Sequence, residues 1–365
     1  LDMHLGEDGA PLRAIQTSYV FDEEDQPLTL AAWIGSARPE DASLALHRLF
    51  LVAMRPWLAH VRRERIDIRA EYPSFRPSPA PDKQSPSSRG MTEREKVLKT
   101  LRADHPHSAI DFLAGPRTEG WEESISLFEA LPPSIEGQTL VNPIWLASEL
   151  AEIGDGLLGP VINSMQIGLR DFETLLALSH GDLHLDNVLC TASVGGLPKT
   201  VLIDFESTHY GHICKDPARV EASMMCQVFS LTRQDAALLV KWFAETPLLR
   251  ASASEPLAES DVLDTSDQLR SITLSVNKLR EITAGCGQQH WPVSRCEYLL
   301  ALLGALLPMT RYSTLSKQQR ELAFCLACAV STALLAEWKS DPGFPESLAT
   351  NTSNGAQPLS SAGEL

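Results

Sequence analysis

Two rhythms of hydrophobic and polar positions alternate along this chain. Residues 15–21 (IQTSYVF) are β-branched and aromatic and predict a strand. An acidic turn follows at 22–25, and Thr29 then stands as an N-cap before the apolar run 30–34. A longer amphipathic pattern runs from about Glu40 to Arg65, with Pro56 inside it predicted to kink or divide the helix. Residues 73–90 are dense in Pro and Ser and read as a loop or disordered insertion. Thr92-Glu93-Arg94-Glu95 is a capping-box pattern opening another helix. Val161, Ile162, Met165, Leu169, Phe172 and Leu176 recur at three- and four-residue spacing, which predicts one apolar face of a helix ending near Leu178. Beyond about Asp216 the pattern is helical, over 216–231, 233–247, 265–284, 293–308 and 316–338. Thr265-Ser266-Asp267-Gln268 and Ser316-Lys317-Gln318-Gln319 are capping-box starts for two of these. From Asp341 onward Ser, Gly, Pro and Asn dominate, predicting a frayed, disordered tail.

Composition narrows the class. A chain of 365 residues with 44% hydrophobic content has material for a sizeable packed core. Its net charge of −16 argues against an extended nucleic-acid footprint, while being compatible with a cationic partner. The seven cysteines are odd in number and sit mostly in apolar runs, which predicts reduced thiols used as small hydrophobes and a cytoplasmic location. Cys325-x-x-Cys328 lies in a helical run with no second Cys or His pair at zinc spacing, so core packing is expected there. His209-x-x-His212 alone is too little for a metal site. The apolar runs near 298–307 and 323–336 fall short of the about 18 residues of a membrane span, so no membrane partner is expected.

The chemistry concentrates in His180-Gly181-Asp182-Leu183-His184-Leu185-Asp186-Asn187 and in Asp204. Phosphoryl transfer asks little covalent help of a protein. It asks for a positioned base and a metal that neutralises phosphate oxygens. Asp182 could take a hydroxyl proton, and an Asn oxygen five residues on could turn back to a hard divalent cation. Asp204 ends the short apolar strand Thr200-Val201-Leu202-Ile203, where a carboxylate is costly without a partner such as a metal. A hairpin of 188–190 with 200–203, turning at Gly195-Gly196, would set Asn187 and Asp204 on adjacent strands beside one pocket.

HGDLHLDN followed by LIDFE resembles the aminoglycoside phosphotransferase and choline kinase group of the protein-kinase-like fold. The continuation Gly211-His212-Ile213-Cys214-Lys215-Asp216-Pro217-Ala218-Arg219-Val220-Glu221 is similar to the phosphotransferase-like ternary complex associated domain of bacterial multidomain proteins. The likeness is strong over 179–223 and weaker elsewhere. It implies an α+β chain with a protein-kinase-like fold, mostly the helical C-lobe with a short catalytic β-hairpin and an N-lobe largely missing or truncated. Residues 1–36 would be the remnant of N-lobe and hinge, 37–340 the C-lobe with its Pro/Ser-rich insertion, and 341–365 the tail. It further implies Asp182 as catalytic base and Asn187 and Asp204 as ligands of Mg2+, and so of ATP, with His184 in the same cofactor-binding set. His180 and His184 would shape the catalytic loop, and Asp216 would brace it from the following helix.

Taken residue by residue, His180 and His184 read as scaffold and Asp186 as a solvated loop carboxylate. Asp216 before Pro217 suits an N-cap with Pro at the first helical position. Glu206 either assists the metal site or is a surface carboxylate. The nucleotide half departs from the pattern. Leu5-Gly6-Glu7-Asp8-Gly9 carries acids where phosphates would sit, and the first Lys is Lys83, inside the insertion. The earlier N-lobe strands would therefore precede Leu1 in a longer chain, or have been lost. The twelve residues from Asp204 to Asp216 are too few for a peptide-docking activation segment, so a small-molecule acceptor fits better. Glu259, Asp261 and Asp264 could attract a cationic one or simply be a solvated face. Two functions are thus expected: an ATP- and Mg2+-dependent phosphotransferase acting on a small-molecule hydroxyl, or a catalytically weak kinase-like module for signalling or assembly with fused domains.

Overall fold

The computed structural model describes residues 27–75, 134–135, 138–151, 160–192, 198–245, 263, 265–286, 293–310 and 312–340. The strand expected at 15–21, the capping box at Thr92, the acids at 259–264 and the tail from Asp341 lie outside the described residues. The architecture is mixed α+β, mostly helical, with two small antiparallel sheets.

The first sheet has the order β1-β6-β7, from Leu28–Thr29 (β1), Val188–Ala192 (β6) and Pro198–Leu202 (β7). Its β6–β7 ladder pairs Val188 with Leu202 and Ala192 with Pro198, which is the expected pairing of these two segments. The second has the order β2-β5-β8, from Arg62–Ile66 (β2), Phe172–Ser179 (β5) and His209–His212 (β8). A further two-residue ladder joins Ser134–Ile135 (β3) to Gln138–Thr139 (β4).

Nine helices are described: Leu30–Ser36 (α1), Pro39–Arg48 (α2), Pro143–Ala151 (α3), Pro160–Arg170 (α4), Lys215–Cys226 (α5), Arg233–Glu245 (α6), Asp267–Cys286 (α7), Arg295–Met309 (α8) and Lys317–Ser340 (α9). Thr29 caps α1 as expected, its hydroxyl accepting from Ala32 N at 3.2 Å. Ser316 and Gln319 form the expected reciprocal box at α9, with Ser316 N donating to Gln319 Oε1 at 2.9 Å and Gln319 N to Ser316 Oγ at 3.3 Å. At α7 the cap is Ser266, whose hydroxyl accepts from Leu269 N, one residue later than the Thr265 box predicts. One buried apolar cluster runs from Leu30 to Trp338, with α7 against α2 and α8 against α9 as its main helix contacts.

Two expected helices end early, the first of them where Pro56 was expected to divide it. The amphipathic run from Glu40 gives α2 and a π-turn over Leu49–Ala53, then breaks just before Pro56. Arg62–Ile66 is a strand, not the end of that helix. Likewise the face beginning at Val161 stops at Arg170, and Phe172 and Leu176 belong to β5. A four-residue spacing is shared by helices and strands, because i and i+4 share a face in both. The central position of β5 decides the matter: it hydrogen-bonds β2 on one edge and β8 on the other, and its run 174–177 is buried throughout. Across β2, the Arg65 guanidinium reaches Asp171 at 2.7 Å, Arg63 pairs with Glu173, and Arg62 sits 4.6 Å above the Tyr210 ring. Charge pairing and sheet hydrogen bonds thus hold as a strand a segment whose own side chains are mostly exposed.

Of the insertion expected over 73–90, only 73–75 are among the described residues. Pro73–Phe75 is a 3-10 turn whose Phe75 is fully buried. Its neighbour Tyr72 packs closely against α8, where a Cβ at Gly304 would fall 2.5 Å from the Tyr72 ring. Helix α9 is longer than its apolar run suggested: 317–338 is long and apolar enough to cross a membrane by length and composition, yet is largely buried against α3, α4, α5, α6 and α8. Cys325 and Cys328 lie fully buried within it, their thiols pushed well above the ordinary range by burial, as core packing predicts.

Candidate functional site

The loop after β5 is built around a turn that only glycine fits. Gly181 has φ +83°, and a Cβ there would lie 2.2 Å from the Ser207 carbonyl oxygen. Leu183 and Leu185 are fully buried on either side of His184 and pin the loop to the core. Between these anchors the Asp182 carbonyl accepts from His184 N at 3.0 Å and from Asn187 Nδ2 at 2.9 Å. The Asn187 amide is thereby oriented: its nitrogen is committed, and its Oδ1 has no partner among the described residues. Asn187 N donates to the His184 carbonyl at 2.9 Å, and the Asn187 carbonyl accepts from Ile203 N at 3.0 Å. That last bond extends the β6–β7 register by one pair and brings Asp204 to the same end of the hairpin as Asn187.

Asp204 is the one non-glycine residue with positive φ among the described residues, at φ 63°, ψ 67°. Its exposed carboxylate has no hydrogen-bond or ion-pair partner among them. Left-handed backbone at a non-glycine residue costs on the order of 1 kcal/mol and concentrates at functional sites. Glu206, in the 3-10 turn just after, is exposed. Among the described residues no three His, Cys, Asp or Glu side chains gather as a metal cage. An unpaired carboxylate and an oriented amide oxygen still fit a Mg2+ site, because that ion binds through one or two protein oxygens while waters and substrate phosphates complete its shell.

Asp216 braces the loop from α5. Buried to 3% exposure, its two carboxylate oxygens accept from His180 N at 2.7 Å and Gly181 N at 3.0 Å. Burial pushes its carboxyl upward, against the opposing pull of those backbone donors. The N-cap reading of Asp216 is corrected: the cap position is Cys214, and Asp216 sits within the first turn with its side chain directed to the loop. His180 is fully buried, its ring stacked 6.3 Å from Trp57 and tilted 5.5 Å from Phe205. Its Nε2 lies 2.7 Å from the Ile203 carbonyl and must donate to it, which ties the loop to the strand that carries Asp204. His184 is partly exposed, with Nδ1 3.9 Å from the exposed Asp186 carboxylate.

The side chain facing Asp182 is one the sequence reading quoted without a role. Arg219 Nη2 donates to Asp182 Oδ1 at 3.2 Å and to the Tyr312 hydroxyl at 2.9 Å, with the guanidinium 5.4 Å from the Tyr312 ring centroid. The signal was present: Arg219 follows Asp216 by three residues and so shares its helix face. Tyr312 carried no signal, since it arrives from the far end of α8. Two supporting clusters were also missed. Glu71 receives His209 Nε2 at 3.1 Å and Lys215 Nζ at 3.3 Å, beside the His209 Nδ1 contact to the Ser207 carbonyl at 2.8 Å. Burial pushes the Glu71 carboxyl up, but the His209 hydrogen bond and the Lys215 charge outweigh it and hold it at about 2. Glu221, on α5, is buried with Arg280 at 2.6 Å and Tyr298 Oη at 2.5 Å, fixing α5 to α7 and α8.

No family model, curated protein or solved structure matches this chain.

Proposed function

We propose that the chain is a phosphotransferase of the aminoglycoside phosphotransferase and choline kinase type, with a protein-kinase-like fold, transferring the γ-phosphate of ATP to a hydroxyl of a small molecule. The observation that carries this reading is the shared anchoring of Asp182, Asn187 and Asp204. One carbonyl orients the amide, one hairpin end carries the amide and the left-handed Asp204, and one buried carboxylate, Asp216, fixes the turn before Asp182. A loop needed only for connection has no use for that many constraints on three acceptor-bearing side chains. Asn187 and Asp204 would hold a Mg2+ ion, which supplies charge neutralisation of the transferring phosphate. Asp182 would accept the proton of the attacking hydroxyl as the new O–P bond forms and the bridging oxygen leaves on ADP.

The pairing of Asp182 with Arg219 favours a second reading, a catalytically weak kinase-like module, because an ion pair occupies one of the two oxygens that could take the proton. ADP release and calorimetric binding of Mg2+-ATP by the 365-residue chain separate the two. On the first reading Asp182→Asn loses nearly all turnover and keeps nucleotide affinity, since a base acts on the transition state. Asp204→Gly relieves the left-handed strain, so it melts at or above wild type, yet loses Mg2+-dependent nucleotide binding. Binding that is indifferent to Mg2+ and to Asp204→Gly, or turnover that Asp182→Asn leaves intact, refutes the reading.

A further inference from the structure

We infer that Arg219 and Tyr312 form an anion subsite next to Asp182, so that the acceptor hydroxyl belongs to a molecule bearing a carboxylate or phosphate. The inference rests on the phosphotransferase reading for the word acceptor, but its geometry stands independently. A guanidinium has five N–H donors. Arg219 spends two, both on Nη2, toward Asp182 and Tyr312. Among the described residues its Nε is buried with no partner, and Nη1 makes no hydrogen bond. The side chain is only 17% exposed, whereas the Asp182 side chain beside it is 46% exposed. A buried Nε without a partner is a costly arrangement, and Nη1 beside it is left open to a ligand.

The ligand chemistry follows from charge and shape. The planar fork of arginine suits carboxylate and phosphate oxygens. The Asp182 carboxylate offsets one positive charge, but it can satisfy only the Nη2 side of the fork. The Tyr312 hydroxyl, which accepts from Arg219, still has its own proton to donate to an anionic oxygen. An ammonium placed against the free side of Arg219 would face a like charge, which runs against the cationic acceptor that the acids at 259–264 suggested. Those acids lie outside the described residues. Because Asp182 and the free side of Arg219 adjoin, the anionic group of the acceptor sits within a few bonds of its reacting hydroxyl. Hydroxy acids and phosphorylated alcohols have that form.

The test uses the 365-residue chain with Mg2+-ATP and four acceptors: glycerate, glycerol 3-phosphate, glycerol and choline, with ADP release as the readout. At least one of the two anions is expected to exceed both glycerol and choline by tenfold or more in kcat/KM. Arg219→Met should collapse the anion-to-glycerol ratio to about one, chiefly through KM, and Arg219→Lys should restore part of it. Tyr312→Phe, which keeps the ring and the guanidinium, should lower the ratio severalfold and guards against a folding artefact in the Arg219 variants. An equal or greater rate with choline, or an anion preference untouched by Arg219→Met, overturns the inference. If no acceptor supports turnover, calorimetric binding of glycerate and inorganic phosphate decides the subsite alone. Binding lost at least tenfold in Arg219→Met sustains it, and binding that is absent or independent of Arg219 overturns it.

Discussion

Replacing Asp216 with Ala should unfold the chain more readily than any substitution at an exposed loop carboxylate, and the size of the effect can be worked from its two bonds. The carboxylate is 3% exposed and accepts from His180 N and Gly181 N. Without it, His180 N has no acceptor among the described residues, while Gly181 N keeps the Ser179 hydroxyl at 3.2 Å. One buried donor orphaned costs about 1–3 kcal/mol, and the second bond, formerly charge-assisted, is weakened to a neutral one for about 1 kcal/mol more. Removing a carboxylate whose charge burial disfavours returns part of this, so the net loss is about 2–3 kcal/mol. With a urea m-value of about 3 kcal/mol per M, the midpoint falls by about 0.7–1 M. Asp216→Asn keeps one acceptor oxygen and should fall between wild type and Ala. The exposed Asp186 makes only the 3.9 Å approach to His184, so Asp186→Ala should stay within about 0.5 kcal/mol of wild type. An Asp216→Ala midpoint no lower than that of Asp186→Ala would refute the loop-brace argument.

Gly181→Ala should destabilise by about 3 kcal/mol or more in the same assay, because left-handed strain and a 2.2 Å clash with backbone at Ser207 act together. The Glu71–His209 pair predicts a stability window in pH. Glu71 is lowered from 4.5 to about 2, so its contribution is present above pH 4.5 and lost as pH falls toward 2; partial exposure and screening reduce it to roughly 1 kcal/mol. His209 is raised above 6.5 by its hydrogen bond to Glu71, so its contribution is full below pH 6.5 and lost as pH rises through the folded value. Urea midpoints should therefore favour the interval between 4.5 and 6.5, and Glu71→Gln should flatten both flanks.

What the sequence disclosed about this chain was what short-range physics determines. The β6–β7 hairpin was legible because Thr200-Val201-Leu202-Ile203 is too apolar and too short for anything but a strand, and the sequence between it and Val188 carries a Gly-Gly turn signal. The helices after Asp216 were legible because caps such as Ser316 and Gln319 act within four residues. Sheet two was not legible, and its members show why. Arg62–Ile66 becomes a strand only by pairing with residues more than a hundred positions away, and nothing local in RRERI encodes that partner. The site divides along the same line. Asp182, Asn187 and Asp204 were visible by spacing, since one loop and one hairpin hold them. The charge that faces Asp182 was not, since Arg219 and Tyr312 meet it only after α5 and α8 have packed through the buried Glu221, Arg280 and Tyr298 group. Local pattern thus announces where chemistry can occur, whereas the character of the molecule bound there depends on side chains that the core delivers from a distance. The expectation of a cationic acceptor came from the acidic run at 259–264, and the guanidinium at Asp182 is the kind of long-range neighbour that such a run cannot reveal.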